Sequence, residues 1–148
     1  MERKKLLIAD DSEMNRALLV DILENQYDIV EADNGAAAID LLTQCGGDFS
    51  LLLLDIMMPE MDGFEVLAYI NRYHLNDTLA VIMISADDSP ANIKRAYDLG
   101  AFDYISRPFD AAIVRRRISN TMLLYARQRH LKISSPNNFT SRRKTTTS

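Results

Sequence analysis

Leu51-Leu52-Leu53-Leu54-Asp55-Ile56-Met57-Met58-Pro59-Glu60-Met61-Asp62-Gly63 is the stretch that decides the fold. Four consecutive leucines have no polar face, which predicts a strand buried on both sides in a parallel sheet covered by helices. Asp55 leaves that strand as a lone carboxylate, and Pro59 and Gly63 punctuate the turn into the next helix.

The same grammar recurs outward from this point. Leu6-Leu7-Ile8-Ala9 forms an apolar run that ends in Asp10-Asp11, with Ser12 placed to cap a helix carrying Leu18, Leu19, Ile22 and Leu23. Tyr27 to Ala32 reads as a second strand, and Asp33-Asn34-Gly35 as a turn. A short helix over Ala36 to Gln44 ends at Gly46-Gly47. Phe49 to Leu54 is the third strand and Phe64 to Tyr73 the third helix. Leu79 to Ile84 is the fourth strand, and Ser89-Pro90 opens a helix that runs to Gly100, with proline in the first turn where its missing N–H costs nothing. Phe102 to Ile105 is the fifth strand, and a last helix starts near Asp110 and stops between Tyr125 and Leu131. Five strands alternating with five helices predict an α/β fold, a doubly wound and mostly parallel sheet with right-handed crossovers.

In such sheets ligands bind beyond the carboxyl ends of the strands. Asp10, Asp11, Asp55, Ser85 and the run Ser106-Arg107-Pro108 all fall at that edge. Three neighbouring carboxylates repel one another unless a cation or proton intervenes. An oxygen-only ligand set with room for waters suits Mg²⁺ (or Mn²⁺). Such a metal could bridge Asp55 to a phosphoryl oxygen while a hydroxyl from Ser85 and a cation from Arg107 neutralise the others.

This constellation resembles the receiver domain of two-component response regulators, the CheY-like family, over about residues 4–127. The resemblance implies a flavodoxin-like strand order 2-1-3-4-5. It implies that Asp10-Asp11 are the acidic pair, with Asp11 the more direct metal ligand, and that Asp55 accepts a phosphoryl group from a histidine kinase or phosphotransfer protein. The backbone carbonyl of Met57 corresponds to the remaining protein ligand of the metal. Met58-Pro59 and Met61-Asp62-Gly63 correspond to the following loop. Ser85 matches the family's hydroxyl residue and Ala86 the small residue beside it. Tyr104 matches the aromatic that turns inward on activation, and Pro108-Phe109 the motif after strand five. One position departs from the pattern: Arg107 stands where the family has lysine. Arginine keeps the charge but is planar and bulkier. The chain is therefore expected to be a phosphorylation-activated signalling domain, catalysing only its own phosphotransfer and dephosphorylation. The alternative is a pseudo-receiver, a constitutive interaction module whose phosphorylation Arg107 impairs. A phosphatase of related topology would need a second aspartate at position 57, which is Met57.

Composition bounds the rest. At 148 residues and 47% hydrophobic the chain can bury one sizeable core. Cys45 is the single cysteine, so no internal disulfide or zinc cluster is expected. The apolar run after Met1-Glu2-Arg3-Lys4-Lys5 is too short for a signal peptide or membrane span, which predicts a cytoplasmic protein. His74 and His130 read as surface residues, and Asp87, Asp88 and Asp103 as solvated or capping acids. Residues 1–110 hold all 21 acids against 8 Lys or Arg, a balance of −13, whereas residues 111–148 hold 9 Lys or Arg and no acid. We divide the chain into a receiver domain over 1–127 and, over 128–148, the end of the last helix with a basic tail expected to be disordered. The tail has no room for a helix-turn-helix, so specific nucleic-acid binding is not expected, and a role as a linker toward an output domain is compatible with it. Val114, Ile118, Met122 and Tyr125 form a helical stripe facing the sheet, while Leu123, Leu124 and Leu131 extend an apolar surface. The family's habit of dimerising through the fourth helix, fifth strand and fifth helix implies a homodimer by that face.

Overall fold

The computed structural model describes residues 3–86 and 89–134, with side-chain surroundings through residue 126. The expectations for Asp87, Asp88, the side chains of His130 and Leu131, and the tail from 135 fall outside the described residues.

Five strands form one parallel sheet: β1 (Lys5–Ala9), β2 (Asp28–Ala32), β3 (Leu51–Asp55), β4 (Ala80–Ser85) and β5 (Asp103–Ser106), in the order β2-β1-β3-β4-β5. The helices are α1 (Glu13–Leu23), α2 (Gly35–Cys45), α3 (Gly63–Arg72), α4 (Pro90–Asp98) and α5 (Ala111–Ser134). The expected α/β architecture and strand order are thus both observed.

Side-chain alternation along the strands divides the core in two. Leu52, Leu54, Val81 and Met83 pack with Ile39, Leu42, Val66, Leu67, Ile70 and Ala96, the inward residues of α2, α3 and α4. Leu51, Leu53, Ile82 and Ile84 pack on the other face with Leu19 and Leu23 of α1 and Val114 and Ile118 of α5. A central strand with helices on both sides must be apolar at every position, which accounts for the four-leucine run; all four leucines are fully buried.

Helix starts follow local chemistry. Ser12 caps α1 by accepting from the Asn15 N–H at 3.2 Å, and Ser89 caps α4 by accepting from that of Asn92 at 3.3 Å, with proline in the first turn. α3 begins at a capping box: the Asp62 carboxylate accepts from the Glu65 N–H at 2.9 Å while the Glu65 side chain accepts from the Asp62 N–H at 3.1 Å. α5 differs from the expectation in continuing to Ser134 rather than ending by Leu131. Its early turns are fixed by Val114 and Ile118, and nothing in the sequence before Pro136 breaks the helix.

Candidate functional site

Register brings the two acidic strand ends together. Ala9 lies opposite Leu54, so the next residues, Asp10 and Asp55, leave adjacent strands side by side and with the same parity. Both are buried, 0% and 1% exposed, whereas Asp11 faces solvent. Carboxylate oxygens of Asp10, Asp11 and Asp55 all lie within 4.8 Å of one another. Gly63 closes the loop over this edge: its N–H donates to the Ile56 carbonyl at 2.8 Å, and a Cβ there would stand 2.3 Å from the Asp55 carbonyl oxygen. Only glycine fits so near a neighbouring backbone.

Arg107 offsets part of the charge within this cluster. Its Nη2 lies 2.9 Å from Asp10 Oδ2 and 2.9 Å from Asp55 Oδ1, so one guanidinium nitrogen bridges both buried acids. The Arg107 backbone N–H donates to the Ser85 carbonyl at 3.0 Å, which ties the loop after β5 to the end of β4. Backbone donors also reach these carboxylates. The Ser12 N–H donates to Asp10 Oδ1 at 2.8 Å and the Met57 N–H to Asp55 Oδ1 at 3.3 Å. Burial, and next the charge of Asp10, push the Asp55 carboxyl up to about 6, with Arg107 pulling the other way.

The other sequence candidates fall nearby in part. Ser85 is fully buried at the end of β4, next to Ser106 in register. Ala86 and Pro108 are exposed at the rim, Pro108 after a cis peptide bond. The Met57 side chain is 65% exposed and contributes to no core, while Met58 is buried. Tyr104 pairs with Met83 in register, and its ring is already buried in the cluster on the α2–α4 face.

Comparison with known proteins decides the family. The model of the response regulator receiver domain matches residues 6–119. The chain belongs to the response regulator receiver family. As a receiver domain of a two-component system it is a signalling domain and not an enzyme of metabolism. It is 34% identical over 120 residues to the chemotaxis protein CheY of Halobacterium salinarum, covering 80% of this chain and 97% of that one. It is 33% identical over 127 residues to the transcriptional regulatory protein SrrA of Staphylococcus aureus, covering 80% of this chain but 51% of that one. It spans only 25% of a longer Vibrio cholerae relative at 34% identity. Among solved structures, the receiver superimposes with a TM-score of 0.74 and 30% identity on a chain of the CheX–CheY–BeF3–Mg²⁺ complex from Borrelia burgdorferi, covering 79% of this chain and 87% of that one. A CheY-like receiver domain from Methanospirillum hungatei gives a TM-score of 0.76 at 23% identity, covering 86% and 99%, and shows the shared fold.

Two features of the receiver's acidic edge were not legible in the sequence. Arg107 pairs with Asp10 as well as Asp55, and the two partners stand 97 and 52 positions away along the chain. Arg16 donates through Nη1 to the Asp10 carbonyl at 2.7 Å and through Nε to Glu31 Oε1 at 3.1 Å. A partial signal was present: Arg16 sits one helical turn after the cap Ser12, which points it back over the β1–α1 junction. Among the described residues no helix is long and apolar enough to cross a membrane.

Proposed function

We propose that this receiver accepts a phosphoryl group on Asp55 from the phosphohistidine of a histidine kinase or phosphotransfer protein, with Mg²⁺ as cofactor. The observation that carries the reading is the packing of three carboxylates, two of them buried, at one strand-end edge. The residues fit a divalent ion. Their donors are hard oxygens, and the bridging position of the Arg107 guanidinium between Asp10 and Asp55 marks a place that calls for positive charge. Asp10, Asp11, Asp55 and the Met57 carbonyl would hold the ion. When bound, Mg²⁺ supplies charge neutralisation at the transferring phosphoryl group.

An Asp55 carboxylate oxygen attacks phosphorus in line. The O–P bond forms, the P–N bond to the donor imidazole breaks, and the freed nitrogen keeps the electron pair. Arg107 then moves its contact from the acids to the phosphoryl oxygens, and the Ser85 hydroxyl takes another of them, with Ala86 leaving room beside it. Pro108 fixes the turn that delivers Arg107. Tyr104, already inward, is the ring against which this rearrangement packs. The readout is a change at the face of α4, β5 and α5, where Tyr97 donates to Asp103 Oδ1 at 3.2 Å and Arg117 bonds the same oxygen at 3.1 Å. That face is the proposed site of a homodimer or of an output partner, and a cytoplasmic location accords with a kinase donor.

One observation favours a second reading. The planar Arg107 bridge holds both buried acids together, so a constitutive interaction module with impaired phosphorylation is the outcome if Mg²⁺ cannot displace it. Beryllium fluoride separates the two. Protein-bound ¹⁹F resonances that require Mg²⁺ and vanish in Asp55→Asn support the acceptor; their absence from the wild type supports the constitutive module.

A further inference from the structure

Arg16 is 15% exposed, much less than its partner Glu31 at 46%, so this is not an ordinary surface ion pair. The two contacts of its guanidinium point in different directions. Nε meets Glu31 on β2 at 3.1 Å, and Nη1 meets the carbonyl oxygen of Asp10 at 2.7 Å. That carbonyl belongs to the peptide unit joining Asp10 to Asp11, whose atoms share one plane. The N–H of Asp10 is held from the other side by the Ala32 carbonyl at 3.1 Å, and the Asp10 carboxylate by the Ser12 N–H at 2.8 Å. Every polar group of Asp10 thus has a partner, and Arg16 holds the carbonyl of the peptide that leads to the exposed Asp11.

We propose that Arg16, braced by Glu31, is a positioning residue for Asp11 as a ligand of the divalent ion. The inference rests on the Mg²⁺ reading above. A small octahedral ion tolerates little displacement of a ligand, and Asp11 is exposed, with no burial of its own to hold it. The hydrogen bond to its peptide plane fixes the Cα from which its carboxylate reaches the ion. Outer partners of this kind change metal affinity by about 10- to 100-fold when lost.

The charge on Arg16 makes the test decisive in sign. A cation beside the pocket repels Mg²⁺, so if Arg16 acted only through its charge, removing it would tighten binding. Positioning predicts the reverse. Mg²⁺ affinity is measured by NMR titration of the metal-free full chain for wild type, Arg16→Gln and Arg16→Lys, with thermal unfolding of each metal-free protein alongside. The expected result is binding weakened about tenfold in Arg16→Gln and to a smaller extent in Arg16→Lys, which keeps the charge but loses the two-directional fork. Arg16→Lys also guards against a glutamine variant that fails to fold, because a charge-only role would leave its affinity at the wild-type value. Unchanged or tighter binding in the variants, with wild type binding normally, overturns the positioning role and leaves the metal reading standing. No Mg²⁺ binding by the wild type overturns both.

Discussion

At the scale of single residues, Asp55 is held where its charge is least welcome. Burial and the neighbouring Asp10 raise its carboxyl from 3.8 to about 6 in the metal-free protein. A carboxyl raised on folding stabilises the native state below its unfolded value, and that contribution is lost as pH rises through about 6. Replacement by an uncharged isostere removes the loss. Asp55→Asn is therefore expected to gain stability over wild type progressively between pH 4 and 6.5, levelling at about 3 kcal/mol above that range, as read by urea unfolding without metal. Arg107 works against the same repulsion through its bridge to Asp10 and Asp55. Arg107→Ala leaves two buried acids without their counterion, so metal-free stability should fall by about 3 kcal/mol. Added Mg²⁺ should raise the melting temperature of that variant more than that of wild type, because the ion then supplies the missing charge. The acids themselves were plain in the sequence as the ends of apolar strands. The Arg107–Asp10 and Arg16–Asp10 contacts were not, because they depend on strand register and helix rotation that spacing along the chain does not encode.

At the scale of elements, β3 contributes to the core on both faces of the sheet. Leu51 and Leu53 face α1 and α5, and Leu52 and Leu54 face α2, α3 and α4. Leu53→Ala opens a cavity at the centre of the sheet, with an expected loss of about 3 kcal/mol in chemical unfolding. The strand's type and position were readable because a run with no polar side fits only a doubly covered strand. Helix boundaries were less so. Asp33-Asn34-Gly35 reads as a turn, yet Asn34 accepts from the Ala37 N–H at 2.7 Å and so starts α2 at Gly35 itself. Asp62, inside the segment that Pro59 and Gly63 mark as loop, likewise caps α3 in a capping box with Glu65. In both places a turn residue doubles as a cap, and only the backbone direction shows which role prevails. The far end of α5 has no such punctuation before Pro136, so the sequence does not mark where the helix stops.

At the scale of the whole molecule, alternating strands and helices dictate the topology, and the topology collects the acids at one edge. That much follows from the order of apolar runs, since right-handed crossovers leave few arrangements. The face of α4, β5 and α5, proposed above as the place of the response, carries small polar contacts among Tyr97, Asp103 and Arg117. Exposed Leu123 and Leu124 lie on the same last helix. Sedimentation with beryllium fluoride and Mg²⁺ is expected to show a heavier species than the metal-free protein; one monomeric boundary in both conditions would remove the homodimer from this account. The central claim is that Asp55 takes a phosphoryl group with the help of a divalent ion. Incubation of the full chain with acetyl phosphate and Mg²⁺, followed by intact-mass measurement, tests it most directly. The prediction is a gain of one phosphoryl mass in the wild type, absent in Asp55→Asn and absent when the metal is chelated. An unchanged wild-type mass, or the same gain in Asp55→Asn, would contradict it.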